Sequence, residues 1–396
     1  MKVLQLGVGA VGEVTARTMA LEPAVDHLVL ADLDPARVEA VAALLPAGRA
    51  DTLVVDVTDG AALREALSGV DFVLNALAPR FDLDVMNAAL DTGTHYLDMA
   101  TGGPREITGT ADLDEQLALH ERFLEGGLAA LVSFGIDPGA SDVFARALYD
   151  EFDTVESLRV LDGDNGSIEG YDYACSFSPE TMIEECLLPP YVLRDGKNVR
   201  NQPLSVSFEF DFPQPVGRLR VWNVDHEEAQ LMPLYLGGKG LRSADFFIAL
   251  DGKFVELLQV VQRLGLQSRT ALEFGGGRFT PLEFIVSRLP KPTDLYGKIH
   301  GHVCVGALAT GVRGGRRARK YLHQITSHEE VFAKYGVQGT GYQTGASAAC
   351  AVTQFARGEI ALRGVVAPEQ LDPHAYIAEM EKFDLPVRGV ELPLED

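Results

Sequence analysis

The stretch Lys2-Val-Leu-Gln-Leu-Gly7-Val8-Gly9-Ala10-Val11-Gly12 decides how the chain begins, because it runs from an apolar strand through a G-x-G-x-x-G turn into a helix. Residues 3–6 are predicted as the strand and 10–21 as the helix. Gly7 permits the tight turn, Gly9 lets a backbone approach a pyrophosphate, and Gly12 lets the helix pack closely on the strand. Ala10 and Val11 open that helix, where free N–H groups and the positive end of the dipole favour an anion. Asp32 lies 20 residues beyond Gly12, at the end of the next apolar run. A carboxylate there accepts from ribose hydroxyls and repels a 2′-phosphate, which points to NAD, with NADP as the second choice.

Outward from this start, short apolar runs alternate with helical stretches as far as residue 135. Strands are predicted at 27–31, 53–57, 72–77, 96–99 and 129–134, and helices at 35–45, 61–67, 84–92 and 113–126. Asp34 serves as an N-cap. The alternation implies an α/β fold, a doubly wound parallel sheet covered on both faces. The texture changes near residue 153. Strands are expected at 155–161, 204–211, 218–223 and 231–235, a helical period over 246–264, and a loosely alternating strand over 298–310. A Gly-rich loop, GTGYQTG, then precedes a small-residue helix at 347–357, and capped helical segments close the chain at 368–383. The expected organisation is 1–140 for dinucleotide binding, 141–335 for a second α/β domain, and 336–396 as a closing segment.

Bulk properties narrow the partners. A formal net charge of −23 repels phosphate backbones and argues against nucleic acid. The four cysteines, Cys175, Cys186, Cys304 and Cys350, form no CxxC pair, so neither a disulfide framework nor a zinc knuckle is expected. No apolar run is long enough to span a bilayer and no signal-like leader opens the sequence, so a cytoplasmic protein with no membrane partner is expected. His300, His302 and His323 lack metal-pair spacing, and no metal is assigned.

Strand ends supply the remaining candidates, since in this topology they line the dinucleotide crevice. Asn75, Ala76 and Leu77 are expected to meet the cofactor, chiefly through the backbone. Asp56, followed by Val57, either approaches the adenine or caps a turn. Asp98 either touches the nicotinamide ribose or a substrate amine, or caps a helix. Asp137, in Gly-Ile-Asp-Pro-Gly, either handles an ammonium group or caps the helix after it. Gln343 and Thr344 lie in the Gly-rich loop, where helix N–H groups can hold an anion; the alternative is a linker. Three carboxylates within 180–185 read as a solvated helix face, and the basic run 313–320 as a surface or subunit-contact patch.

An ordered set of segments then stands out: GVGAVG (7–12), ADLDPAR (31–37), VDVTD (55–59), VDFVLNALAP (70–79), THYLDMA (94–100), GIDPGASD (135–142), YDYACSFSPET (171–181) and YQTGASAACAVTQFARGEIALRGVVAPE (342–369). Together they resemble the saccharopine dehydrogenase-like family, which spans saccharopine reductases, lysine 6-dehydrogenases and carboxynorspermidine dehydrogenases. The resemblance implies a Rossmann domain, a catalytic and dimerising α/β domain, and a C-terminal segment returning to the first. It implies a homodimer and places Asp137 near a substrate amine. His226 falls where saccharopine reductases carry a carboxylate-binding Arg, Asp162 where they carry a Cys, and Asp32 where they carry a Cys-Arg pair suited to NADP. A cavity with Asp162, Asp164, Asp172 and His226 suits a cationic amine better than a second dicarboxylate.

The expected activity is oxidoreduction at the C–N bond of an amino acid or amine, with Asp137, His226 and Asp98 as catalytic candidates and Asp162, Gln343 and Thr344 for substrate. Two other readings compete: a dinucleotide-binding regulatory protein without chemistry, and a reductase of a non-amine carbonyl.

Overall fold

Strand β1 (Lys2–Leu6) sits inside a seven-stranded sheet of the computed structural model, which describes residues 1–103, 105–108 and 112–394. The other strands are β2 (His27–Asp32), β3 (Ala50–Val54), β4 (Phe72–Asn75), β5 (His95–Asp98), β6 (Ala129–Leu131) and Gly364–Val366. The order is Gly364–Val366, β6, β5, β4, β1, β2, β3, and every pairing is parallel. Central strands such as β4 are buried at every residue, as a sheet covered on both faces requires. The chain reverses direction of travel between β1 and β4, and in such sheets the crevice beyond the strand ends at that point takes the ligand.

The chain divides into two compact units. The first contains 1–102, 110–140 and 341–384. The second contains 103–109, 141–340 and 385–396. It is built on a nine-stranded mixed sheet whose long strand β7 (Thr154–Asp164) pairs in parallel with Ser243–Ala249 and antiparallel with His302–Arg313. One face is packed by Leu161, Phe210, Phe212, Phe247, Leu308 and Tyr321. Phe210 meets Phe212 edge-on at 4.8 Å. Burying each such ring contributes roughly 1.5–3 kcal/mol. Among the described residues no helix is long and apolar enough to cross a membrane.

Several expected elements are corrected. Residues 231–235 are not a strand but part of the helix Glu228–Leu236. Its Leu231, Met232 and Leu236 are buried, and short apolar runs do not declare their period. The stretch 246–264 is a strand, Ser243–Ala249, then a helix, Gly252–Arg263, begun by the Asp251 side chain accepting from the Lys253 N–H. The expected helix 113–126 is two, Leu113–Leu117 and His120–Glu125. β3 ends at Val54 rather than at residue 57. The loop GTGYQTG is instead the beginning of the helix Gly339–Ala356. Its Gly345 packs so closely that a Cβ there would lie 2.7 Å from the Val11 carbonyl oxygen. Val387–Glu391, expected to return with 336–396 to the first unit, joins the second sheet beside Arg316–Ser327. Val390 and Leu392 pack there on the Phe210–Tyr321 cluster.

Candidate active site

The crevice in the first unit is built by three close approaches. Gly7 takes φ +90°, and a Cβ on it would lie 2.7 Å from the Ala76 carbonyl oxygen, so the turn sits directly on the end of β4. A Cβ on Gly12 would lie 2.3 Å from the Gly7 carbonyl oxygen. Gln5 braces the same turn, donating from Nε2 to the Gly7 and Gly12 carbonyls at 2.9 and 2.6 Å. Gly9 is different: it is exposed, and a Cβ there would meet nothing within 4 Å. The protein leaves that space open at the N-terminus of the helix Ala10–Met19, which is the cradle a dinucleotide pyrophosphate needs. The residues therefore fit such a cofactor.

Asp32 ends β2 at the rim. Its Oδ2 accepts from the Val8 N–H at 3.0 Å and its Oδ1 from the Asp34 N–H at 3.1 Å. Arg37 reaches the turn too, donating to the Val8 carbonyl at 2.7 Å, but its Nη2 is committed to the buried Glu13 carboxylate at 2.6 Å. The rim thus presents a carboxylate, with its neighbouring guanidinium already neutralised.

Asn75 is almost wholly buried and shapes the strand end: its amide donates to Asp82 at 2.8 Å, and its oxygen accepts from the Leu77 N–H at 3.3 Å. Asp56 lies two residues beyond β3, fully exposed, and accepts from the Thr58 N–H and hydroxyl, which hold its carboxyl below the ordinary range. The structure therefore gives it the turn-capping role and corrects its placement at a strand end; Val57 moves with it. Asp98 is 1% exposed. It accepts from the Tyr96 hydroxyl (2.9 Å), the Gln116 amide (2.6 Å) and the Ser133 N–H (2.6 Å). Ser133 has φ +64°, so Asp98 holds a strained turn. That turn leads to Asp137, half-buried between Gly135 and Gly139, where the Gly135 N–H donates to the Pro138 carbonyl at 2.7 Å. Gln343 and Thr344 do not lie in a loop at a helix N-terminus, as expected, but inside the helix Gly339–Ala356; Thr344 packs against Gly135.

The second unit carries an acidic cavity of about 450 Å³. Asp162, Asp164, Asp172 and Asp251 line it with Tyr171, Tyr173, Phe177 and Phe254; Lys253 is the cation on its wall. Asp162 and Asp164 alternate along the end of β7, and one Asp162 oxygen is buried without a hydrogen bond. Burial first, then the Asp164 charge, push its carboxyl well up; the imidazole of His226 opposes them in part.

His226, expected in this cavity, is not among the residues that line it; it is 7% exposed and stacks on Phe246 at 3.8 Å with the planes 8° apart. Its Nδ1 meets Glu228 Oε2 at 2.5 Å and Glu227 Oε2 at 3.5 Å. Glu228 is fixed in turn by the Ser141 hydroxyl at 2.8 Å. Burial alone would lower the imidazole, but Glu228, backed by Glu185 and Glu227, outweighs it and holds His226 well above its ordinary value. Glu185 itself is pushed up to about 8, first by burial. It was missed in the sequence because it read as part of a solvated face; the signal for Glu228 was its place two residues after His226.

The face 180–185 is in fact committed, a correction to its solvated reading. Arg269 donates to both oxygens of Glu184 (2.6 and 2.8 Å) and to Glu180 (2.6 Å). Removing it strands two half-buried carboxylates, so Arg269→Ala is expected to cost about 1–3 kcal/mol in urea unfolding. The basic run is likewise paired, with Arg313 and Lys320 on Glu151 and Arg317 on Glu156. Stability follows pH through Glu185. Its folded form holds a proton more tightly than the unfolded chain, so stability is full below about 4.5 and is lost as pH rises through about 8. Glu185→Gln is expected to flatten that loss, raising Tm above wild type at alkaline pH in a thermal-melt series.

Residues 3–131 match the family model described as the saccharopine dehydrogenase NADP binding domain, and residues 135–384 the saccharopine dehydrogenase C-terminal domain. The chain is 30% identical over 389 residues to carboxyaminopropylagmatine dehydrogenase of a Synechocystis species, covering 97% of this chain and 96% of that one. It is 27% identical over 404 residues to carboxynorspermidine synthase of Vibrio cholerae, again covering 97% and 96%. Among solved structures, apo saccharopine dehydrogenase (L-Glu forming) from Saccharomyces cerevisiae superposes with a TM-score of 0.73 at 17% identity, covering 99% of this chain and 100% of that one, a likeness of fold.

Proposed function

The chain belongs to the saccharopine dehydrogenase family, and from that premise we propose that it oxidises or reduces, with NAD, the C–N bond of an amine whose tail carries positive charge. The observation that carries the substrate class is the acidic, aromatic-lined cavity: four carboxylates against one lysine, with two tyrosines and two phenylalanines. Such a lining attracts an ammonium or guanidinium both by charge and by ring faces. The relatives carboxyaminopropylagmatine dehydrogenase and carboxynorspermidine synthase, named for amine chemistry, support the same class.

The nicotinamide, when bound, gives or takes a hydride at the carbon bearing nitrogen. The chain's own residues hold and move the protons. His226 keeps a proton at Nδ1 against Glu228 and is poised as the acid toward the substrate nitrogen. Asp162, buried and raised, is the proton-holding group that lines the cavity itself. By the family resemblance Asp137 is assigned to the substrate amine, and Asp98 braces the turn at Ser133 that leads to it. The four cysteines are buried and free, which suits a reducing compartment; we place the enzyme in the cytoplasm, as a homodimer by family likeness.

Asp32 is the specificity residue for NAD over NADP. Asp32→Ser is expected to raise the ratio of kcat/KM for NADPH to that for NADH by at least about tenfold, roughly 1.4 kcal/mol. The test of the whole reading is a steady-state screen of NADH oxidation with aldehyde–amine pairs and of NAD reduction with secondary amines, comparing cationic with neutral tails. Equal turnover of neutral and cationic tails would refute the cationic class.

A further inference from the structure

A second cavity, of about 330 Å³, lies in the second unit at the other end of β7 from Asp162. Its floor is a row of registered residues. Ser243 pairs with Ser157, Ser157 with Thr310, and Thr310 with Arg319, so four adjacent strands put these side chains on one face. Arg194 lies one residue along from the Leu193–Ala244 pair and completes the row opposite Ser243. The result is Arg194, Ser243, Ser157, Thr310, Arg319: three hydroxyls between two guanidiniums, with the outer Cα atoms roughly 19 Å apart at sheet spacing. Arg242 and Arg317 add to the wall.

The lining holds four arginines and two carboxylates, in a chain of net charge −23. Arg317 is paired with Glu156 at 3.0 Å, and Arg242 loosely with Asp195 at 3.6 Å. Arg194 forms no ion pair among the described residues, and the Ser157, Ser243 and Thr310 hydroxyls make no side-chain hydrogen bond among them. A half-buried floor of hydroxyl donors flanked by guanidinium forks is the donor set of an oxyanion. The acidic cavity is some 17 Å further along the same strand, five residues at 3.4 Å each, and is opposite in charge.

We propose that this row is a binding site for a small multivalent oxyanion, phosphate or polycarboxylate in class, separate from the amine cavity. The site is tested by isothermal titration of the full chain at constant ionic strength, with inorganic phosphate in one arm and citrate in the other, against chloride as the screening control. Saturable binding is expected, weakened at least tenfold by Arg194→Ala and by Arg319→Gln, and unchanged by Asp162→Asn in the other cavity. Tighter phosphate assigns a phosphorylated ligand, and tighter citrate a polycarboxylate. Arg194 is exposed at the cavity wall, so its variant stays folded and a thermal melt checks this. Binding of neither anion, or equal binding by wild type and Arg194→Ala, overturns the proposal.

Discussion

Gly12→Ala is expected to unfold the first unit, while Gly9→Ala leaves it folded and unable to hold its cofactor well. The two glycines sit three residues apart in one motif, yet they face different things. A methyl on Gly12 meets the Gly7 carbonyl oxygen at 2.3 Å and Gln5 Nε2 at 2.9 Å. The first contact is backbone and cannot swing away. The helix must lift off the strand, at a cost of about 3 kcal/mol or more. A methyl on Gly9 meets no protein atom within 4 Å, and Gly9 has φ −65°, which alanine adopts freely. Its cost falls on the ligand: the methyl takes the room of the pyrophosphate, and NADH affinity drops about 10- to 100-fold, some 1.4–2.7 kcal/mol. Thermal melts and NADH fluorescence titration on both variants separate the effects. A Gly9 variant that binds NADH as wild type would show that the turn is not the cradle.

His226→Ala is expected to lower kcat by about 10²–10⁴-fold, the range for loss of a positioned acid, with NADH affinity unchanged. Glu228→Gln gives the more telling result. Glu228 is the strongest of the groups that raise the imidazole against burial. Without its charge, burial regains weight and the folded pKa of His226 falls. A reaction that needs protonated His226 then loses activity at a lower pH than wild type, so the alkaline limb of the pH–rate profile moves toward acid. A merely structural Glu228 would change kcat at every pH and leave the limb in place. The stack on Phe246 keeps the imidazole oriented in Glu228→Gln.

What was legible in the sequence followed local rules. The glycine turn, Asp32 and the parallel strands each have a signature within a few residues, and the structure places them where those signatures point. The failures share one cause, that the deciding contact is remote in sequence. GTGYQTG reads as a loop by composition, but Gly345 is there for helix contact with Val11, more than 330 residues away. Asp98 reads either as a strand-end carboxylate open to ligand or as a helix cap, whereas the Gln116 amide and the Ser133 N–H claim it. Glu185 lies on a helix whose outer face looks solvated, and its burial against the His226 segment is a tertiary fact. The acidic cavity is half legible: of the group Asp162, Asp164, Asp172 and His226, the three aspartates line it and His226 does not, while Asp251 and the aromatic walls come from a helix start and a loop that no periodicity joins.

The central claim is redox chemistry at the C–N carbon of a cationic amine. Its most direct test is stopped-flow and steady-state NADH oxidation by wild type with an aldehyde and a diamine or guanidino-amine together, followed by mass analysis of the product. Stoichiometric NADH loss with a new secondary amine is expected, together with a KM for the amine that rises at least tenfold in Asp172→Asn, which removes a carboxylate from the cavity lining. Tight NADH binding with no turnover of any amine or imine would contradict it and leave a dinucleotide-binding regulatory protein in its place.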